Sequence, residues 1–381
     1  MKNVLITGGA GFIGSDLALK LTNLGFIVTV LDNLSPQIHG DINLNKNSEL
    51  VGSAFNSIRF INGTVTNRHD WLKALDGQDS IIHLAAETGT GQSMYEIQRY
   101  VDVNIGGTAL LLDILANTSH TIKKMIVASS RAIYGEGKYE CDKHGYVYPN
   151  ARKSEDMTRG DFECKCPMCS GPVQLVATDE ESKIHPTSIY GITKLTQEKM
   201  VLTAGKSLKI PSVALRYQNV YGPGQSLLNP YTGILSIFST QIKNKNSINI
   251  FEDGRESRDF VYIDDVANAT VLALTNDDAN FEIFNVGADE PKNVLAIATL
   301  LKKNYCSKIK INVSGNYRLG DIRHNYADLT KIKTVLGYKP QFSFEQGITE
   351  FCAWVEQQDV HEDKYQLSIQ EMMLKGLYNV K

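Results

Sequence analysis

Short apolar runs bounded by glycine alternate along the chain with segments of helical periodicity. The first run, VLIT at residues 4–7, is followed by GGAGFIG and by the helical pattern DLALKLTNLG. A second run, FIVTVLD, ends at Asp32. Strand, glycine turn, helix and strand in this order predict a parallel βαβ unit.

Four more apolar runs, IRFING, SIIHLAA, KMIVASS and SVALRY, follow with helical patterns such as GGTALLLDILAN between most of them. This alternation predicts an α/β fold with an open, doubly wound parallel sheet of the Rossmann type. We expect residues 1–217 to form a dinucleotide-binding domain. Residues 218–355 should form mainly a smaller C-terminal α/β substrate lobe that returns to the first domain, and residues 356–381 a helical tail.

The composition limits the possible partners. The chain has 381 residues, of which 42% are hydrophobic, so one large or two smaller globular domains are expected. A formal net charge of −3 gives no reason to expect nucleic acid as a partner. The sequence contains no apolar run long enough to cross a bilayer, and its N-terminus is typical of a strand, not a signal peptide. We therefore expect a cytoplasmic protein with no membrane partner.

The glycine turn has a spacing suited to a dinucleotide. Gly8, Gly11 and Gly14 form G-x-x-G-x-x-G, which lets the backbone turn tightly and approach a pyrophosphate at a helix N-terminus. Asp32 ends the second strand, where a carboxylate accepts hydrogen bonds from ribose hydroxyls and repels a 2′-phosphate. The next residues, NLSPQ, contain no Arg or Lys. NAD is therefore predicted as cofactor, not NADP.

The segment SIYGITK contains a candidate acid–base pair. Tyr190 and Lys194 are four residues apart, which places both side chains on one face of a helix. A tyrosine hydroxyl, with a pKa of about 10, is a poor base at neutral pH. A nearby ammonium group and the positive nicotinamide ring of NAD⁺ both favour the phenolate.

Together, the glycine turn, Asp32, SSRAIYG, YGITK, NVYGPG and RDFVYIDDV resemble the extended short-chain dehydrogenase/reductase family, specifically its nucleotide-sugar epimerases and dehydratases. The resemblance extends to about residue 355. It implies that Tyr190 is the catalytic base, that Lys194 is its partner and also holds the nicotinamide ribose, and that Ser130 binds the sugar hydroxyl. A homodimer is expected.

The resemblance also implies which residues surround NAD. They are Gly8, Gly11, Phe12, Ile13, Gly14, Asp32, Asn33, Thr64, Val65, Leu84, Ala85, Ala86, Asn104, Tyr190 and Lys194. Thr64 departs from the family pattern, because an Asp usually contacts adenine at this position. Recognition of adenine through that side chain is therefore left open.

The residues after Ser130 distinguish between reactions. Family dehydratases carry an Asp-Glu pair there, since elimination of water needs a second acid and base. This chain has Arg131 and Ala132, which cannot do that work. The resemblance therefore implies a 4-epimerase, which oxidises the sugar transiently to a 4-keto sugar and returns the hydride to the other face. Arg131 is either a substrate contact or a structural ion-pair partner.

A further group of residues is implied for the nucleotide sugar. Asn219 matches a residue near the diphosphate, Arg258 and Arg318 match phosphate-binding arginines, and Asp321 matches a contact to the nucleoside ribose. Guanidinium groups bind phosphate oxygens through paired hydrogen bonds. Each arginine could instead form a surface ion pair.

The segment AETGTGQS lies where the family contacts the sugar. Thr88 and Gln92 within it are therefore candidate pocket residues.

A polar, turn-rich segment at about residues 138–178 is predicted to be an insertion between the Ser130 strand and the Tyr190 helix. It contains one C-x-x-H and one C-P-M-C pair, which in a reducing compartment are typical of a tetrahedral zinc site. The four predicted ligands are Cys141, His144, Cys166 and Cys169. We expect a structural zinc in a zinc-ribbon-like insertion. Cys164 is a spare thiol or a rival to His144, and a loop of reduced cysteines without metal is the alternative.

Among the epimerases, the insertion together with AAETGTGQSMYE and SSRAIYGEG is most similar to dTDP-L-rhamnose 4-epimerases. This implies dTDP-L-rhamnose and dTDP-6-deoxy-L-talose as substrates, with a UDP-hexose or UDP-uronate 4-epimerase as the alternative. A non-enzymatic NAD-binding scaffold and an NAD(P)H-dependent ketoreductase are alternatives of other classes. The tail sequence LSIQEMMLKGL has helical periodicity, and we expect it to pack on its own chain or on a dimer partner.

Overall fold

The centre of the protein is a seven-stranded parallel sheet. The structure, a computed structural model, describes residues 1–40, 57–231 and 233–380. In spatial order the strands are Ile283–Val286, Ser212–Tyr217, Lys124–Ser130, Ser80–His83, Asn3–Thr7, Ile27–Asp32 and Arg59–Asn62. The strand order reverses beside Asn3–Thr7, and a crevice at such a switch point is the usual ligand site of this fold. The predicted doubly wound sheet is confirmed.

Both faces of the sheet are covered by helices, which explains why its strands are apolar without alternation. Val4 and Ile6 belong to the core on one face, and Leu5 to the core on the other. The helices that contribute to the first core include Phe12–Asn23 and Ile263–Thr275. Those that contribute to the second include Arg68–Leu75, Gly107–Asn117 and Ile189–Leu208.

The helix Ile189–Leu208 carries the predicted tyrosine–lysine pair. It begins after Ser188, whose hydroxyl accepts a hydrogen bond from the backbone N–H of Gly191 at 3.1 Å. Such a cap satisfies one of the free donors of a first helical turn. Tyr190 therefore lies in the first turn, and Lys194 lies one turn further on.

A smaller lobe has its own core, built around aromatic and aliphatic residues such as Phe238, Phe260 and Phe351. Its strands are Asn219–Tyr221, Ser257–Tyr262, Pro291–Asn293 and His324–Asn325, with a separate pair formed by Ile248–Ile250 and Ile311–Val313. Its main helices are Ile234–Lys243, Val294–Asn304 and Phe344–Glu356. The chain leaves this lobe to add Ile283–Val286 to the edge of the central sheet, and it returns to the core of that sheet with the helix Thr330–Leu336.

Several shorter helical segments lie in the connections. They are Pro36–His39, Thr90–Ser93, Ile97–Tyr100, Val101–Gly106, Arg131–Tyr134, Ser154–Thr158, Asp277–Ala279 and Thr330–Leu336. Within the described ranges, no helix combines the length and the apolar character needed to cross a membrane.

The segment with the cysteine pairs is an antiparallel three-stranded sheet formed by Tyr139–Cys141, Gly145–Val147 and Gln174–Leu175. Its core is small, with Tyr139, Val147 and the buried cysteines at its centre. A core of this size supplies little stability without an additional link.

A buried network of ion pairs joins this segment to the smaller lobe. Arg323 is fully buried, and its guanidinium contacts Glu163 at 2.5 Å, Asp253 at 2.7 Å and Glu252 at 2.8 Å. Arg152 contacts the same Glu252 carboxylate at 2.8 Å. Separating the two parts would leave a buried charge uncompensated, which is costly in free energy. The ion pairs therefore hold the cysteine-bearing segment and the smaller lobe in a fixed arrangement.

The predicted tail, residues 356–381, is described as far as Val380. It forms the helix Tyr365–Leu374 and then the strand Tyr378–Asn379, which pairs antiparallel with Tyr317–Arg318. Through this pairing the tail packs on its own chain. The added strand was not expected from its sequence.

Candidate active site

The glycine turn brings two backbone segments into very close contact. A Cβ atom on Gly8, whose φ is +68°, would lie 2.9 Å from the backbone of Ala85, and one on Gly14 would lie 2.3 Å from the carbonyl oxygen of Gly8. The helix that begins at Phe12 has Gly11 as its N-cap, which leaves its first N–H groups free of a side-chain cap in the described chain. This arrangement fits a pyrophosphate group.

Asp32 is fixed by backbone donors at the end of its strand. Its carboxylate accepts hydrogen bonds from the N–H groups of Ala10 at 3.0 Å and Leu34 at 2.9 Å. His39 lies 3.9 Å away, but burial lowers its pKa below 6.5 despite the opposing effect of Asp32. The imidazole is therefore mostly neutral at pH 7 and adds little positive charge beside Asp32.

One cleft contains most of the predicted cofactor residues. It is lined by Gly8, Gly11, Phe12, Ile13, Gly14, Asp32, Asn33, Thr64, Val65, Leu84, Ala85, Ala86, Thr88, Ser130, Tyr190 and Lys194. The same cleft is also lined by four residues that were not predicted from the sequence: Ser35, Gln37, Ile38 and His39. Only their position shortly after the end of the strand Ile27–Asp32 could have indicated that they line the cleft.

Tyr190 meets Ser130 at the end of the strand Lys124–Ser130. The two side chains are hydrogen-bonded, and this bond opposes the burial that raises the pKa of Tyr190. The positive charge of Arg131 also lowers this pKa. Burial thus favours the neutral hydroxyl of Tyr190, whereas Ser130 and Arg131 favour the deprotonated form. The deprotonated form is favoured only where the second effect is larger.

Lys194 is buried behind the tyrosine, and its Nζ donates to Oε1 of Gln197 at 2.8 Å. Burial lowers the pKa of Lys194 to about 7, although Glu198 raises it. Gln197 in turn donates to Oγ1 of Thr108 at 2.9 Å, and that hydroxyl lies 2.9 Å from Nε2 of His83. This buried chain was missed from the sequence, where the only hint was a glutamine three residues after Lys194.

Asn104 does not line the cleft. It lies fully buried in the π-helical turn Val101–Gly106. Its Nδ2 donates to Oγ1 of Thr193 at 2.9 Å, and its Oδ1 accepts from the N–H of Glu87 at 2.8 Å. It therefore connects the loop after the strand Ser80–His83 to the helix Ile189–Leu208, behind the cleft wall.

Arg131 is buried next to these groups with part of its guanidinium unused. Its Nε donates to Oδ1 of Asn219, whereas Nη1 has no hydrogen-bond partner among the described residues. Burial and the neighbouring charge of Arg258 lower the pKa of Arg131 to about 9, so the group stays protonated at neutral pH. A buried, unpaired N–H is costly, and an oxygen atom of a ligand would satisfy it.

The other predicted substrate residues have mixed surroundings. Arg258 donates to the backbone carbonyls of Ser257 and Arg323 at 2.8 Å and also to that of Ile322. At least three of the roughly five N–H groups of its guanidinium are thus used in hydrogen bonds to the backbone.

Arg318 and Asp321 are paired with each other. Nε and Nη2 of Arg318 both lie 2.8 Å from the Asp321 carboxylate. They line a second, smaller cleft together with Thr187 and Ser188, at the start of the helix Ile189–Leu208.

Of the two candidate sugar-pocket residues, Thr88 lines the main cleft and Gln92 does not. The Gln92 amide exchanges hydrogen bonds with the Gln37 amide at 3.0 and 3.1 Å. Its Oε1 also accepts from the hydroxyl of Tyr100 at 3.3 Å.

The four predicted metal ligands converge. Nδ1 of His144 lies 3.5 Å from Sγ of Cys141 and 3.4 Å from Sγ of Cys166, and the Cys141 and Cys169 sulfurs are 3.9 Å apart. All four ligand atoms lie within 4.8 Å of one another. A tetrahedral zinc site has ligand–ligand separations of about 3.5–3.8 Å, so the donor set and its spacing fit this metal.

Cys164 is not part of this group. It is buried beside Tyr139 and Glu136, and burial raises its pKa well above that of an ordinary thiol. Between the two candidates for the fourth position, the structure therefore places His144 with the cysteines.

Comparison with known proteins agrees with the fold and the cleft. The model of the NAD dependent epimerase/dehydratase family matches residues 4–152 and 168–287. A dTDP-L-rhamnose 4-epimerase from Burkholderia thailandensis is 38% identical over 94% of this chain and 96% of its own length. The chain belongs to the NAD dependent epimerase/dehydratase family, and the resemblance inferred from its motifs is confirmed.

Two solved structures have the same fold over nearly the whole chain. A UDP-glucuronic acid 4-epimerase from Bacillus cereus, in complex with UDP-glucuronic acid and NAD, superimposes with a TM-score of 0.74 at 28% identity, covering 93% of this chain and 99% of its own. A UDP-glucose 4-epimerase from Thermotoga maritima gives 0.73 at 28% identity, with 93% and 98% coverage.

The Asp32 carboxylate should determine cofactor choice. We expect NAD⁺ to bind at least about tenfold more tightly than NADP⁺, a difference of ~1.4 kcal/mol, because the 2′-phosphate would face this charge. Asp32→Asn should reduce the preference, whereas Asp113→Asn, at an exposed site, should not. Calorimetric titration of each variant with both cofactors measures this, and equal affinities in the wild type would contradict it.

Proposed function

We propose that the protein interconverts dTDP-L-rhamnose and dTDP-6-deoxy-L-talose. The chain is an NAD-dependent nucleotide-sugar 4-epimerase. The observation that carries the proposal is the position of Tyr190, hydrogen-bonded to Ser130 and one helical turn before the buried Lys194, on the wall of the dinucleotide cleft. This is the arrangement needed to move a proton from a sugar hydroxyl beside a nicotinamide ring.

The proposed roles follow from the contacts. Bound NAD supplies the hydride acceptor and later the donor. Tyr190 accepts the proton of the C4 hydroxyl and returns it after the sugar has turned over. Ser130 orients that hydroxyl through the hydrogen bond it shares with Tyr190, and Lys194 holds the ribose and adds positive charge.

Arg131 favours epimerisation over dehydration. A protonated guanidinium cannot act as a base, and Ala132 has no acid–base group. The Nη1 group of Arg131 has no partner among the described residues and is held through Asn219, so it instead offers a donor to an oxygen of the substrate. Arg258 and Arg318 are proposed to face the diphosphate, and Asp321 the nucleoside ribose.

The choice of sugar rests on the relative from Burkholderia thailandensis, which is similar over almost the whole chain. A UDP-uronate 4-epimerase is the second candidate. The Bacillus cereus neighbour is a UDP-glucuronic acid 4-epimerase, and the buried positive charge of Arg131 is the kind of group that a uronate carboxylate needs.

Turnover of a substrate panel tests this function. With dTDP-L-rhamnose, we expect NMR to show a mixture of the two C4 epimers without net NADH formation, and with UDP-glucuronic acid and UDP-glucose little conversion. Tyr190→Phe should lower the rate by about 10²–10⁴-fold and keep NAD⁺ binding, because it removes only the proton acceptor. Tyr146→Phe, at an exposed tyrosine, is the matched control.

Other outcomes of this experiment identify the alternatives. Preferred conversion of UDP-glucuronic acid would assign the protein to the uronate epimerases. Stoichiometric consumption of NAD(P)H would indicate a ketoreductase, and no turnover of any sugar would indicate a scaffold.

The positive charge of Arg131 should affect how kcat/KM depends on pH. Because the active form of Tyr190 is deprotonated, kcat/KM rises with pH through the tyrosine pKa. Removal of the positive charge in Arg131→Met raises this pKa, so the rising limb should move to higher pH, whereas Arg131→Lys should stay near the wild type. Identical profiles for all three proteins would show that Arg131 does not influence the base.

We also propose that Cys141, His144, Cys166 and Cys169 bind one structural zinc ion. The separations of their ligand atoms support this, and four protein ligands leave no position for a reactive water. The segment has only a small core of its own, so a metal would supply the missing stability.

The proposed zinc should support substrate binding more than cofactor binding. Cys166→Ser should release the metal, expose the segment to proteolysis and raise KM for the nucleotide sugar by about tenfold or more, ~1.4 kcal/mol. The reason is that Glu163 and Arg152 of this segment hold the chain around Arg323. Cys306→Ser, at an exposed cysteine, should behave as wild type. Elemental analysis should give about one zinc per wild-type chain, and a metal-free, fully active protein with a protease-resistant segment would refute the site.

A further inference from the structure

Residues 365–379 of the C-terminal tail lie against the cleft that contains Arg318 and Asp321. We propose that the tail is part of the nucleotide-sugar site: it holds Arg318 in position and forms an apolar wall, made by Met372 and Leu377, against the bound nucleoside diphosphate. The inference rests on the proposed function in one respect, the placement of substrate phosphates at Arg318.

The first support is a backbone connection. Arg318 is paired with Tyr378, and Tyr317 with Asn379, in an antiparallel ladder. The N–H of Leu319 also donates to the carbonyl of Leu377 at 3.1 Å. The tail thus adds a strand to the short segment that carries the arginine, and this pairing restricts the backbone on which the guanidinium is mounted.

The second support is a group of aromatic side chains beneath the arginine. The Phe251 ring is stacked on Tyr365 at a centroid distance of 6.4 Å and meets Tyr378 edge-on at 5.2 Å. The guanidinium carbon of Arg318 lies 5.1 Å from the centre of the same Phe251 ring. Two tyrosines of the tail therefore hold the ring on which Arg318 rests, and such cation–aromatic contacts fix the orientation of a guanidinium.

The third support is the composition of the cleft wall. Residues from four parts of the chain line it, among them Thr90, Ser188, Arg318, Asp321, Met372 and Leu377. Met372 also lies against the turn that follows Thr88, because a Cβ on Gly91 would be 3.1 Å from its sulfur. The tail therefore bridges the start of the catalytic helix and the arginine segment.

The tail is attached to the main cleft as well. The Tyr231 hydroxyl donates to the Glu371 carboxylate at 2.6 Å, and the Tyr231 N–H donates to the side chain of Asn229 at 3.0 Å. Asn229 lines the cofactor cleft. The tail helix is thus connected to both clefts, while its outer face remains exposed, as the 88% exposure of Leu374 shows.

The cleft itself is narrow, with a volume of about 10 Å³, so a nucleoside diphosphate at Arg318 would extend beyond it past Met372 and Leu377. A diphosphate needs guanidinium donors held in a fixed geometry, which pairing and stacking provide at Arg318. Apolar walls at Met372 and Leu377 exclude water, and charge–charge interactions strengthen where water is excluded. Asp321 occupies part of the Arg318 guanidinium, so a phosphate would share or replace this partner.

Binding of dTDP and UDP, which carry no sugar, tests the inference apart from turnover. Calorimetry on the full-length chain should show that Met372→Trp, which fills the cleft, weakens dTDP binding at least about tenfold, and that Met372→Ala weakens it less. NAD⁺ affinity should remain within about twofold of wild type in both. Leu374→Ala, on the exposed face of the same helix, should bind both ligands normally. In the wild type, dTDP should protect the tail from proteolysis.

The outcomes separate the two proposals. Unchanged dTDP affinity in Met372→Trp, with NAD⁺ binding retained, would overturn the role of the tail and leave the proposed function intact. If Met372→Trp also loses NAD⁺, the protection experiment decides, and a tail that dTDP does not protect overturns the inference. Turnover of no nucleotide sugar alongside normal dTDP binding and tail protection would overturn the proposed function alone.

Discussion

A buried ion pair between the helix Ile189–Leu208 and the strand Ser212–Tyr217 sets the geometry on which the candidate active site depends. Glu198 accepts hydrogen bonds from Arg216 at 2.7 and 3.0 Å and from the Ser129 hydroxyl at 2.6 Å. Both charged residues are almost completely buried. Because a buried charge without its partner is very costly, these bonds favour one register of the helix on the strands Lys124–Ser130 and Ser212–Tyr217. That register places Tyr190 opposite Ser130, the residue that follows Ser129.

The position of the chain segment that carries the proposed substrate residues depends on a second set of buried charges. This set extends from the cysteine-bearing segment into the smaller lobe. Arg152 donates to the backbone carbonyl of Asp321 at 2.8 Å. Arg258 donates to the next two carbonyls, those of Ile322 and Arg323. The residues proposed to contact the nucleotide thus lie on a chain segment that is held by the cysteine-bearing segment, the smaller lobe and the tail. The segment would therefore respond to changes in the insertion or the tail that leave the cofactor cleft unchanged.

Several features of the fold and site were predictable because their causes are local. The glycine spacing requires close backbone contacts that no side chain permits, as Gly8 and Gly14 show. The two-residue and 3.6-residue periodicities of strands and helices then follow from the backbone itself. The strand Lys124–Ser130 agrees with the apolar run KMIVASS because a strand buried on both faces is apolar at successive positions. Tyr190 and Lys194 lie on one helix, as their spacing required.

What the sequence by itself determined is therefore the class of the protein: the βαβ unit, the position of Asp32 and the order of the motifs. Only the tertiary structure decided which distant residues meet. It selected His144 over Cys164 as the partner of the cysteine pairs, placed Asn104 behind the cleft wall, and brought the tail to Arg318. The physical reason is that burial and pairing between segments far apart in the chain depend on how whole elements pack, and no local pattern of residues encodes those distances.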